Sequence, residues 1–148
     1  MTTNELTDMY ERDIRRFIEE LGLFTSEENV WKTTGSIKNP AGNLALHIVG
    51  GLNHHIGATL AGTGYIRDRD REFSDKGISR NLLVEELRKL IPLISQTIIP
   101  LTPEQLNSPF PKFFDKESAS TSYVLTQLLL HLNYHLGQVN YLRRALEP

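Results

Sequence analysis

Apolar residues recur at three- and four-residue intervals through most of the chain, the spacing of amphipathic helices. The first such run is Leu6, Met9, Tyr10, Phe17 and Leu21. Thr2 and Glu5 precede it at capping-box spacing, and Gly22 is the expected stop. Ser26 with Glu27, Glu28 and Asn29 predicts a short turn leading to Trp31, and residues 33–38 read as loop. Asn39-Pro40 predicts a second start, with Asn39 at the cap and Pro40 at the first helical position. From Ala41 to Ala61 the chain is long and uncharged, so this helix is expected to be buried on more than one side. Its glycines Gly50, Gly51 and Gly57 each weaken the helix by about 1 kcal/mol against Ala. They allow close backbone approach or leave room for a ligand.

Residues 62–79 form a polar connection containing the alternation Arg67-Asp68-Arg69-Asp70-Arg71-Glu72. Ser79 then caps a third helix with the stripe Leu83, Leu87, Leu90, Ile91, Ile94 and Ile98. Pro92 is expected to kink or divide it, and Pro100 to stop it. Thr102-Pro103-Glu104-Gln105 combines a capping box with Pro at the first position, which predicts a short helix. A loop with Pro and Phe follows over 108–118. The last helix is predicted from about Ser120 to about Leu146, with Val124, Leu128, Leu132, Val139 and Leu142 on its stripe. No run of β-branched alternation is bounded by hairpin turns. The pattern therefore predicts an all-α fold: a four-helix bundle, one domain over residues 1–148, with a long connection between its second and third helices. That connection exceeds the roughly 2–8 residues usual between bundle helices, which points to a crossover.

Composition narrows the chemistry. The chain has 148 residues, a formal net charge of -2 and no cysteine. Disulfides, zinc-thiolate sites, iron–sulfur clusters and a cysteine nucleophile are excluded. No basic block stands out, so no nucleic-acid partner is expected. The acidic, polar start is no signal peptide, and no apolar stretch approaches the roughly 20 residues of a membrane span. A cytoplasmic protein without a membrane partner is the expectation. No Gly-rich phosphate loop or Ser-His-Asp signature is present.

All five histidines lie in two segments, His47/His54/His55 and His131/His135. His131 and His135 are four apart, roughly 40° on one helix face, the spacing that presents two imidazoles to one metal. They sit at the edge of the apolar stripe, where imidazoles need hydrogen-bond partners or a metal. His47 offers a third ligand from the second helix, on a face with the small residues Gly51, Ala58 and Gly62 that could border a cavity. On a straight helix His54 is about 20° off His47 but roughly 10 Å further along, and His55 points about 80° away. These two read as helpers or bystanders, with His54 a candidate proton shuttle. Three neutral histidines without a fourth side chain make an open, catalytic pattern rather than a closed structural one. Read blandly, the pair is two hydrogen-bonded core histidines. Gln127 and Gln138 flank it and could orient the imidazoles or make ordinary interhelical contacts.

At these residues the sequence resembles the DinB-like superfamily of metal-dependent enzymes. The matching pieces are Asn43-Leu-Ala-Leu-His47-Ile-Val-Gly and His131-Leu-Asn-Tyr-His135-Leu-Gly-Gln138. The resemblance covers essentially the whole chain. It implies a helical bundle of this type, often a homodimer, and a divalent metal, zinc or nickel, held by His47, His131 and His135. Where some relatives carry an ionisable residue one turn beyond the second-helix ligand, this chain has Gly51. Characterised relatives use low-molecular-weight thiols as cosubstrates. Those relatives are thiol S-transferases or a thiol-dependent isomerase, while this chain looks closer to the uncharacterised branches. An open three-histidine metal site could serve thiol S-transfer or, through metal-bound hydroxide, hydrolysis of a small molecule. The alternatives are a non-catalytic ligand-binding module and a partner-binding helical dimer.

Other residues have two readings each. The 67–72 alternation reads as a solvated, salt-bridged loop, or as an anion clamp in which Arg67 or Arg71 holds a carboxylate. Phe110, Phe113 and Phe114 cap a bundle end or line a ligand entrance. Leu125, Leu129 and Leu136 extend the last helix's apolar surface beyond one stripe, which suits a homodimer.

Overall fold

A computed structural model of the chain describes residues 1–111, 113 and 118–148. The helices form where periodicity and caps place them. α1 (Thr3–Leu23) opens with the Thr2–Glu5 capping box. A 3-10 turn (Glu27–Trp31) leads to α2 (Ala41–Leu52), which continues without a break as a π-helix (Asn53–Leu60). A short α3 (Arg69–Ser74) lies in the long connection, followed by α4 (Arg80–Ile98), α5 (Pro103–Asn107) and α6 (Thr121–Leu146). The side chains of Ser79, Thr102 and Ser120 cap α4, α5 and α6. The fold is all-α; its β-pairing includes an isolated bridge between Pro109 and Ser120, and no described segment forms a strand. None of the described helices is long and apolar enough to cross a membrane.

α1 and α2 each pack against both α4 and α6. The four long segments therefore enclose one core, with Tyr10, Phe17, Ile48, Leu87 and Leu132 among its buried members. α2 is the most enclosed segment, and of its residues all but Leu46 are buried. This follows from its lack of charge.

Four local expectations are corrected. α1 runs past Gly22 and stops at Phe24, whose backbone is extended. A glycine stop is unnecessary because Arg80 Nη1 donates to the carbonyls of Leu21 and Phe24, at 3.2 and 2.6 Å. Pro40, not Asn39, is the N-cap of α2: its ψ of 159° is extended, and its carbonyl accepts from Leu44 N. Pro92 does not divide α4, because its ring lies on the exposed side and α4 packs through Leu83, Leu87, Leu90, Ile94 and Ile98. Finally, Leu125, Leu129 and Leu136 are buried in this chain's own core. These three are therefore not a surface that could meet a second copy.

Candidate metal centre

Three histidines from two helices converge. His47 comes from the buried α2, and His131 and His135 from adjacent turns of α6, which packs on α2. His47 Nε2 lies 3.1 Å from His131 Nε2, and His135 Nε2 lies 3.0 Å from the same atom. One ring nitrogen from each lies within 4.8 Å of the others. Tetrahedral zinc with bonds of about 2.0–2.1 Å would set its ligand nitrogens about 3.3 Å apart, close to these separations.

The outer nitrogens define the tautomers. His47 Nδ1 is 2.9 Å from Glu72 Oε1, and His135 Nδ1 is 2.6 Å from Gln138 Oε1. Both oxygens are acceptors, so both Nδ1 atoms carry a proton and both Nε2 atoms present lone pairs. His131 Nε2 faces these two lone pairs with at most one proton to donate. The cluster is short of a proton, and a shared cation removes the deficit. Donor type, spacing and tautomers therefore fit a divalent ion, and the three histidines could hold one. Burial holds the His131 imidazole down at about 4, with His135, His47, Arg67 and His55 adding to the shift. Burial also lowers His135, against the bond to Gln138, which raises it. Neutral imidazole is the metal-binding form.

A carboxylate completes the arrangement one step out. Glu72 on α3 is 6% exposed. Its oxygens accept from Arg67 Nε at 2.8 Å and Arg67 Nη2 at 2.9 Å, a bidentate pair, as well as from His47. Burial pushes its carboxyl up, but the Arg67 and His47 hydrogen bonds outweigh that and hold it below the ordinary value. Asn43, one turn before His47, fixes α3 in place: its Nδ2 donates to the carbonyls of Glu72 and Asp75, both at 2.9 Å. Gly50 makes the space. A Cβ there would stand 2.0 Å from Glu72 Oε2.

Sequence reasoning missed Glu72 because 25 residues separate it from His47. The available signals were Gly50 near His47 and Arg67 as a clamp for a carboxylate, which proves to be the chain's own. Arg71 follows the bland reading and pairs with Asp75 at the surface.

A cavity of about 270 Å³ opens beside the histidines. Gly51, Arg67, Phe113, Tyr123, Gln127 and Leu128 contribute to its wall, together with His47 and His131. His55, not His54, also lines it, with its ring 5.1 Å from Phe113 and 4.8 Å from His54. The π-helix accounts for the exchange. A turn that closes on the fifth residue advances each position by roughly 85° instead of about 100°, which carries His54 to about 50° on one side of His47 and brings His55 to about 35° on the other. Burial pushes the His55 imidazole down to about 4, helped by His54 and Arg67, so it is neutral at pH 7. Phe110 and Phe113 are buried, and Phe113 lines the cavity; Phe114 lies outside the described residues.

Residues 3–148 match a protein family described as "Protein of unknown function (DUF1572)". The chain belongs to that family. DUF1572 membership spans nearly the whole sequence, both histidine segments included. The chain is also similar to the crystal structure of a conserved protein from Enterococcus faecalis, with a TM-score of 0.77 and 18% sequence identity over 97% of this chain and 96% of that one. At that identity the likeness concerns the fold alone. No curated protein matches the chain.

Proposed function

We propose that the protein is a metal-dependent enzyme of the DinB-like type, acting on a small molecule as a thiol S-transferase or hydrolase. The observation that carries this reading is the convergence of three Nε2 atoms with too few protons to bond one another. His47, His131 and His135 hold one divalent ion, zinc or nickel. Such an ion supplies Lewis acidity, which favours the thiolate of a small thiol or activates water at neutral pH. The chain has no cysteine, so any thiol is a cosubstrate.

The chain's own residues do the rest. Glu72 accepts a hydrogen bond from His47 Nδ1 and Gln138 one from His135 Nδ1, which keeps the ligand nitrogens free and the rings oriented. Arg67 holds Glu72 in register by donating to both of its oxygens. Phe113 and Leu128 exclude water from one wall of the cavity. His55 offers a neutral imidazole to a bound substrate, and His54 assists proton movement through its contact with His55.

Metal analysis of untagged, zinc- or nickel-supplemented protein tests the site. About one ion per chain is expected, and a His47/His131/His135→Ala triple variant should lose it. Less than about 0.1 ion per chain, or unchanged affinity in the triple variant, would falsify the metal claim. Thiol transfer to electrophiles and ester or amide hydrolysis are then screened with the metal-loaded protein. Activity that survives both chelation and His131→Ala rules out the proposed mechanism.

A further inference from the structure

We propose that the cavity beside the three histidines takes a small molecule with one carboxylate and a flat apolar body, Arg69 receiving the carboxylate and Phe113, Tyr123 and Leu128 the body. The inference rests on the reading above only in taking the same cavity as the binding site.

Charge decides the first part. Among the described lining residues none is acidic, whereas two are arginines. Arg67 is neutralised by its bidentate pair with Glu72. Arg69 forms no ion pair among the described residues. Its guanidinium stands 5.4 Å from the centre of the Phe73 ring, which itself lies 4.9 Å from the His47 ring. This stacking holds at the cavity, next to the metal cluster, a positive charge with no ion-pair partner among the described residues. One guanidinium matches one carboxylate in charge and in its planar, two-point geometry. Of the two arginines only Arg69 is available to an anion, because Glu72 already occupies Arg67.

Shape decides the second part. A volume of about 270 Å³ is just below the roughly 300–1,000 Å³ of common ligand sites, so the occupant is small. Phe113, Tyr123 and Leu128 give it an apolar, partly aromatic wall suited to a flat ring. Gly51 keeps the space open, since a Cβ there would lie 3.6 Å from Arg67 Nη2 and a longer side chain would fill the cavity.

The test compares 3-phenylpropionate with 3-phenylpropionamide by ligand-observed NMR titration of the full chain. Zinc-loaded and EDTA-treated preparations are run side by side. The acid should bind about tenfold more tightly than the amide in both, as a charge-assisted bond to Arg69 requires. Arg69→Ala, an exposed position, should erase that preference without altering the far-UV CD spectrum. Gly51→Leu should weaken both ligands. Equal affinities for acid and amide, no binding of either, or a preference that persists in Arg69→Ala would overturn the proposal. A preference that survives in Arg69→Ala but vanishes with EDTA assigns the carboxylate to the ion: the Arg69 role falls and the metal site stands. An Arg69-dependent preference in a chain that takes up no zinc does the reverse.

Discussion

The unusual residue of the site is Glu72, a buried carboxylate that does not belong to the ligand set. It stands against the far nitrogen of His47 and is itself gripped by Arg67. Removing its charge while keeping its shape should therefore act through the metal. Glu72→Gln is expected to lower zinc affinity about 10–100-fold, as loss of such supporting groups does elsewhere, measured by competition with a chromophoric chelator. Gly50→Ala makes a sharper test, because it touches no ligand. Alanine favours a helix by about 1 kcal/mol over glycine, yet its Cβ would stand 2.0 Å from Glu72 Oε2. The expected outcome is zinc affinity lowered by about tenfold, of the order found for Glu72→Gln; unchanged affinity would show that Glu72 is not held where the metal needs it. The histidine pair His131/His135 was legible because its spacing repeats the helix itself. Glu72 was not, since nothing local distinguishes it from Asp70 or Asp68. Its role depends on a fold that lays α3 on α2 and on the absence of a side chain at Gly50.

Among the elements, helix starts were the most legible part of the sequence, because a cap is a local hydrogen bond: Thr2, Ser79, Thr102 and Ser120 all accept from the backbone as expected. Helix ends and irregularities were less so. The stop of α1 uses Arg80, a residue 56 positions beyond the Phe24 carbonyl it contacts. The π-helix that puts His55 rather than His54 in the cavity wall has no local signature beyond Gly57 and its polar residues, and a straight-helix reading turns His54 that way instead. Pro92 shows the opposite case, a strong local signal overridden by packing. α4 continues through it because five buried residues hold the helix on both sides. The strain of the missing N–H and the ring against the preceding turn remains. Since Pro92 is exposed, replacing it changes backbone terms and little else. Pro92→Ala is expected to raise stability by about 1–3 kcal/mol. Urea unfolding, read from the midpoint at constant slope, checks the value. A decrease would mean that the packing of α4 depends on the proline itself.

The whole molecule is closed along the seam of α1 and α6, the first and last helices, where contacts span more than a hundred residues. The Tyr10 hydroxyl donates to Leu125 O, Asn133 Nδ2 to Asp13, and Arg143 and Asn140 to Glu20. Which helices are neighbours was not legible in the periodicity, since each apolar stripe fits any partner. These paired polar groups choose, because each would be costly to bury elsewhere. The seam ends at Glu147. Its carboxylate accepts from Thr25 N at 2.8 Å, Asn29 Nδ2 at 2.8 Å and Ser26 N at 3.3 Å, tying the end of α6 to the turn after α1. Those bonds, led by Thr25 and then Asn29, hold the Glu147 carboxyl at about 2, below the ordinary 4.5. A depressed folded-state value means that the clamp contributes fully above the unfolded value and is lost as pH falls through the folded one. The window lies between pH 4.5 and about 2. Thermal unfolding of wild type and Glu147→Gln across that range isolates the clamp, because the other titrating groups are common to both. Wild type should melt higher above pH 4.5, and the gap should shrink as the pH approaches 2, where half of the native carboxyls have taken up a proton. A gap that stays constant down to pH 2 would place the stability in packing around α6 rather than in the charge of its last carboxylate.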